Sequence, residues 1–377
     1  MEQHKANAKD LAKLFLKLGI LGFGGPAAHI AMMQEEVVRK RKWLSEQHFL
    51  DLMGATNLIP GPNSTEMAIH IGHEKGGWKG LLVAGLCFIF PAVLITFGFA
   101  WLYKQYGQLP EVQPFVYGIK PAIIAIILGA IFPLAKKSLK SAELIAIGIL
   151  VLVGSLCHIN EIYLMFGAGF FAMFITYVRK SGNGDAKSIV PAIFMQASGS
   201  TLLAASNVNL FWIFLKIGAI IYGSGYVLFA FLDSELVSTG LLTRSQLIDA
   251  IAVGQFTPGP VFSSVTFIGY QINGLAGAIV STVAIFLPSF VFVALLNPLV
   301  KKMRGSKLFS AFLDAVNVAS VAIIVAVCFQ MGRDSVTDWR TILIAIASIS
   351  IAFGFKGVNS AFIVVGGSLT GYLLTLV

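Results

Sequence analysis

From Ala250 to Val300 the chain carries no charged side chain, and the same holds from Leu81 to Leu102 and from Gly357 to Val377. Uncharged apolar stretches of about 18 residues or more are long enough to cross a bilayer as helices. A helix pairs its backbone N–H and C=O groups within itself, as hydrocarbon demands. Charged residues make up only 12% of the 377 residues, against roughly 25% in an ordinary soluble domain. That leaves too little polar surface to solvate a globule of this size. Several such runs make one embedded, all-α, polytopic membrane protein, with the lipid bilayer as its solvent.

The formal net charge of +9 invites a nucleic-acid reading. The basic residues, however, sit in short loops between apolar runs, where the positive-inside rule explains them, so no nucleic-acid partner is expected. Cys87, Cys157 and Cys328 lie in apolar runs without paired spacing and read as small core residues, with no disulfide, metal or cofactor implied. The basic-then-apolar start, MEQHKANAKDLAKLFLKLGIL, resembles a signal peptide. Lys17 interrupts its apolar part and no small-residue cleavage pattern stands out, so it is read as mature protein.

The chain contains its own copy. Phe15-Leu-Lys-Leu-Gly19 returns as Phe214-Leu-Lys-Ile-Gly218, Phe23-Gly24-Gly25 as Tyr222-Gly223-Ser224, and Pro60-Gly61-Pro62 as Pro258-Gly259-Pro260. Ile71-Gly72 matches Ile268-Gly269, and Phe90-Pro91 matches Leu287-Pro288. The offset, for example 214 − 15 = 199 and 288 − 91 = 197, holds over more than a hundred positions. The expected organisation is a first membrane repeat over 1–178, a linker and connecting segment over 179–207, and a second repeat over 208–377.

Loop charge orients the copies. Arg39, Lys40, Arg41, Lys42, Lys75 and Lys79 fill the first two loops of repeat one, whereas the matching loops of repeat two hold only Arg244. The next loop reverses this: Lys104 alone in 104–114, against Lys301, Lys302, Arg304 and Lys307 in 301–307. Basic loops stay cytoplasmic, so the halves are expected in inverted topology, a plan used by many secondary transporters. Both flanks of 11–30 and of 48–72 are basic, so each reads as a re-entrant hairpin. Full crossings are expected at 81–102, 114–134, 142–159 and 162–178. Repeat two must then start outside, which requires the only moderately apolar 189–207 to cross.

The hairpins break at Gly24-Gly25-Pro26 and Pro60-Gly61-Pro62. Proline lacks the N–H and suits the first position of a helix, so half-helices are expected to start at Pro26, Pro62 and Pro260. A helix N-terminus presents free N–H groups and about half a positive charge, and several meeting at mid-membrane would form an anion site without charged side chains. Four such ends, counting a weaker one near Gly225, sum to roughly two positive charges, which suits a dianion. Ser64, Thr65, Ser263 and Ser264 lie in first turns, where hydroxyls could add hydrogen bonds. Asn57 and Gln255, matched just before the breaks, could bond freed backbone groups or the ligand. The bland reading is that these Pro and Gly residues only kink packed helices.

Ionisable residues inside apolar segments are costly. Lys120, followed at once by Pro121, has two readings: an anion's counter-charge, or a lysine snorkelling to the outer interface. Lys17 and Lys216, paired across the repeats, read as interface anchors. Glu66, one turn past Pro62, is either a proton-coupling carboxylate or a first-turn glutamate favoured by the helix dipole. His29, one turn past Pro26, has the same two readings. Enzyme signatures do not occur: His70-Ile-Gly-His73-Glu74 has neither zinc-protease order, and no GxSxG, Walker loop or dinucleotide-binding motif is present in context. The chain is expected not to be an enzyme, and without an ATPase module transport would run on ion gradients.

FLKLGILGFGGPAAHIAMMQEEVV, KWLSEQHFLDLMGATNLIPGPNSTEMAIHIGHEKGG and GIKPAIIAIIL resemble the chromate ion transporter family. FLKIGAIIYGSGYVLFAFLDSELV, GQFTPGPVFSSVTFIGY and FLPSF resemble the second domain of its long, two-domain members. The resemblance implies a multi-pass inner-membrane protein that expels chromate, a tetrahedral dianion similar to sulfate, with the proton motive force implicated. It implies Gly24, Gly25, Pro26, His29, Pro60, Gly61, Pro62, Lys120, Pro258, Gly259 and Pro260 as motif positions, and Gly223 and Ser224 as repeat-two counterparts. Gly225 replaces Pro26 in the second copy, so an asymmetric site would lie mostly in repeat one. Sulfate transport, an anion channel of the same architecture and a homodimeric assembly stay open at this point.

Overall fold

The computed structural model describes residues 6–23, 25–107, 109–181, 206–222, 225–303, 306–355 and 358–376. The expected crossing at 189–207 falls almost wholly outside them, as do Gly24, Gly223 and Ser224. Among the described residues every regular element is a helix.

Repeat one starts with two half-helices, α1 (Ala8–Leu21) and α2 (Gly25–Gln34), the latter running on as π-helix over Glu35–Lys40. Then come α3 (Glu46–Thr56), α4 (Asn63–Tyr106), α5 (Gln113–Ser138), α6 (Ala142–Leu156) and α7 (Glu161–Ser181). Repeat two answers with α8 (Asn207–Ile220), α9 (Val227–Leu232) and its π-helical extension Asp233–Val237. It continues with α10 (Arg244–Phe256), α11 (Ser264–Met303, entered through a 3-10 turn at Val261–Ser263), α12 (Lys307–Ser335), α13 (Trp339–Gly354) and α14 (Ser360–Thr375).

The 44 residues of α4 would span about 66 Å if straight, twice the hydrocarbon core. They do not run straight. Gly77 has φ 56° and ψ −147°, outside the helical region. A Cβ on Gly72 would meet the carbonyl of Gly80 and the Ala84 methyl, so the chain folds back there and the two limbs touch through glycine. Repeat two does the same at Asn273-Gly274, with Gly269 against Gly277. His48 Nε2 lies 3.5 Å from Glu74 Oε2, so the ends of segment 48–72 come back together, as the re-entrant reading expects, and the limb after Gly77 covers the expected crossing at 81–102.

Backbone contact through small residues recurs, as in membrane interiors generally. A Cβ on Gly19 of α1 would lie 2.6 Å from the Phe88 carbonyl of α4. Its counterpart Gly218 of α8 meets the Ile285 carbonyl of α11. Gly118 of α5 meets Gly367 and Gly371 of α14. Outside this core the pattern of a soluble protein is inverted: Leu150 is 67% exposed and Phe362 74%, with Leu86, Phe132 and Leu295 also bare. Those faces suit acyl chains. Among the described residues five helices are long and apolar enough to cross a membrane: Asn63–Tyr106, Gln113–Ser138, Glu161–Arg179, Val261–Leu295 and Lys307–Ser335.

Candidate functional site

The two Pro-Gly-Pro breaks lie buried, and each is tied to the opposite repeat. Gly61 N–H donates to the Ile221 carbonyl at the end of α8 (2.8 Å), and Gly259 N–H donates to the Gly22 carbonyl at the end of α1 (2.7 Å). Gly22 and Ile221 are repeat equivalents, as are Gly61 and Gly259, so the two bonds are images of one another. The chemistry follows from the tripeptide. Pro60, Pro62, Pro258 and Pro260 have no N–H, so each glycine carries its motif's single donor and spends it on the carbonyl that the opposite half-helix leaves unpaired. The glycines adopt φ 137° and 91°, and Gly25 φ 81°, values that favour glycine. Gly25 also faces Tyr226, whose hydroxyl reaches Gln255 Oε1 at 3.5 Å, so all four breaks meet in one region.

The helices begin one residue from the expected positions. Pro62 caps α4, Pro260 caps the turn into α11, and α2 starts at Gly25 with Pro26 second. The first N–H groups of those helices, including Asn63 and Ser64 of α4, lack intrahelical partners by construction. Around them Ser64, Thr65, Glu66, Ser263 and Ser264 are buried. Ser263 accepts from Thr96 Oγ1 across the repeats at 3.2 Å. A Cβ on Gly61 would collide with Glu66 Oε1 and lie 2.8 Å from Ser289 Oγ, so Glu66 and Ser289 close over the break. Glu66 is fully buried. His29 places Nε2 2.8 Å from the Gly22 carbonyl and its ring edge-on to Phe88, so it helps to fix the end of α1.

Other expected residues stand apart. Asn57 is exposed and accepts from Asn63 Nδ2 at 3.0 Å, bridging the break locally. Lys120 donates to Ser245 Oγ at 2.6 Å. Ser245 lies twelve residues before Thr257, about 18 Å along the axis of α10, so Lys120 is not among the breaks. Lys17 and Lys216 form equivalent ion pairs with Glu36 (2.8 Å) and Glu235 (2.6 Å), each glutamate carried by a π-helical turn. No group of three or more potential metal ligands occurs among the described residues.

The chromate transporter family profile matches the chain twice, over residues 9–173 and 208–372. The chain belongs to that family. It is 32% identical to a chromate transport protein of Cupriavidus metallidurans over 96% of this chain and 92% of the relative. A probable chromate transport protein of Synechococcus elongatus is 30% identical over 90% and 88%. An uncharacterised transporter of Methanocaldococcus jannaschii is 26% identical over 99% and 96%. No solved structure matches. In this chromate transporter family member Thr96 and Ser289 join the breaks from distant parts of the chain, and Tyr226, just past the repeat-two break, reaches Gly25 of repeat one; none of the three is among the residues expected from sequence. Only Ser289 carried a signal, following the paired Pro288. Tyr103 and Asp249 are not among the expected residues either, although Asp249 is an acid in an apolar helix.

Proposed function

We propose that the chain is a secondary transporter that exports a tetrahedral oxyanion, chromate or a sulfate-like dianion, across the bacterial inner membrane in exchange for protons. The observation that supports it most is the reciprocal pairing of Gly61 with Ile221 and Gly259 with Gly22, which gathers four helix breaks from two repeats into one buried region. Helix N-termini favour anions, and here their dipoles act in a dry interior where solvent does not screen them. The C. metallidurans relative is a chromate transport protein, which supports chromate as the anion. Because the glycine N–H groups are committed to carbonyls, the anion is held by the first-turn N–H groups beyond them and by Ser64, Thr65 and Ser263. Gly25 and Pro26 shape the break after α1, and Gln255 borders it through Tyr226. Glu66, fully buried over the Gly61 break, is the proton-coupling carboxylate of this reading.

Uptake of labelled chromate into proteoliposomes, with and without an imposed pH gradient, tests this. Gradient-driven accumulation is expected, inhibited by excess sulfate and not by chloride at equal ionic strength. Chromate flux indifferent to the gradient would make the protein a channel, and strong chloride competition would remove the oxyanion site from the helix ends.

A further inference from the structure

One buried acid lies away from the breaks. Asp249 of α10 is 5% exposed. Its Oδ2 accepts from the Tyr103 hydroxyl of α4 at 2.6 Å, and its Oδ1 is buried without a hydrogen-bond partner. Ser245, one turn earlier on the same face of α10, holds the Lys120 ammonium. Neighbouring charges turn elsewhere: Lys104 lies over the Tyr270 ring, and Arg244 pairs with Asp233 and Asp334.

Below Asp249 the same face continues as Ala252, Val253 and Phe256, at the i+3, i+4 and i+7 positions. With Phe99, Ile119 and the exposed Val365 and Leu369 of α14 they line an open apolar groove of about 260 Å³. Phe256 meets Phe99 edge-to-face at 5.6 Å, and the next residue, Thr257, opens the Pro-Gly-Pro break. Tyr103, Lys120 and Ser245 all lie near the helix ends that loop charge assigns to the outside. The order along α10 from the outer end inwards is thus an ammonium, a buried carboxylate, an open apolar groove, an aromatic pair and the break.

We propose that Asp249 is the proton-exchange site of the outer half of the transporter, with Tyr103 and Lys120 as its positioning residues. A proton from outer water forms an O–H bond at Oδ1 while Tyr103 holds Oδ2. That bond breaks again, and the proton passes to water on the inner side, when the Phe99–Phe256 pair separates. Lys120 draws the departing dianion outward past the acid, which the proton has made neutral. This rests on the proton-exchange reading of the previous subsection and gives it a second carboxylate, distinct from Glu66.

The test compares wild type with Asp249→Asn in proteoliposomes holding an internal pH dye, measuring proton flux and labelled chromate flux together. The expected result is a ratio of proton to chromate flux at least tenfold lower in the variant. A wild-type ratio in Asp249→Asn overturns the proposal and leaves proton exchange standing; no chromate-dependent proton flux in wild type overturns both. Should Asp249→Asn fail to insert, Tyr103→Phe keeps the carboxylate and removes its donor. A shift of at least half a unit in the pH profile of driven transport is expected, and an unmoved profile overturns the role given to this pair.

Discussion

At each Pro-Gly-Pro the prolines remove donors and the glycine supplies the one that remains. Gly61 cannot be replaced cheaply: its φ of 137° strains any side chain, and a Cβ would run into Glu66 and Ser289. A residue forced into such backbone costs about 1–3 kcal/mol before any clash. Gly61→Ala is therefore expected to lower the melting temperature in detergent by several degrees and transport at least tenfold. Ser64→Ala, which removes one hydroxyl, is expected to lower transport less. Equal losses in the two variants would show that the helix end holds no anion. Lys120→Gln is expected to cut net transport at least tenfold with insertion and melting unchanged; near-normal transport would assign Lys120 to interface anchoring alone. Which residues mattered was legible where composition marks them: Gly61, Gly259 and their prolines break apolar runs in both copies. The Tyr103–Asp249 bond joins residues 146 apart, and no local pattern foretells it.

Half-helices are stable here because their ends find partners in the opposite repeat, not because their sequences stop well. Ile221, which closes α8, would leave an unpaired carbonyl in a dry interior without Gly61, and Gly22, which closes α1, would keep only its contact with His29 without Gly259. The hairpins were legible from basic flanks on both sides of 48–72. The π-helical turns at Glu35–Lys40 and Asp233–Val237 were not, since an added residue in a helical turn leaves no compositional mark. Each places a glutamate against the lysine of the preceding half-helix. The hydrogen bond from Lys17 holds the Glu36 carboxyl below its ordinary range, with Lys40 adding to it. A depressed carboxyl contributes stability in full above its unfolded value near 4.3, and that contribution disappears as pH falls through the folded value. Lys17 is half exposed, so the pair contributes less than about 1 kcal/mol. Melting in detergent from pH 7 to pH 3 is expected to lose a small acid-side decrement in Glu36→Gln. An unchanged pH curve would show the pair to be fully screened.

For the whole molecule, the reciprocal bonds have a geometric consequence. Gly61 reaching Ile221 while Gly259 reaches Gly22 requires an approximate two-fold relation between the repeats. Two-fold axes of either orientation, in the membrane plane or along its normal, permit such exchange, so the bonds alone do not choose between inverted and parallel halves. Charge chooses. Residues 104–114 carry only Lys104, while the equivalent loop before α12 carries Lys301, Lys302, Arg304 and Lys307. Parallel halves would put both loops on one side and leave four cations unexplained; inverted halves put the basic loop inside and the bare one outside. Gly107 and Ser306 stand in these two loops, after α4 and before α12. In a variant lacking the natural cysteines, Gly107→Cys is expected to react with an impermeant maleimide added to whole cells. Ser306→Cys is expected to react only after the inner face is opened to the reagent. Labelling of both from one side would place the halves parallel and remove the need for a crossing within 189–207. If that side were the inner one, Asp249 and Lys120, which lie near Gly107, would also stand where the proton gradient does not load.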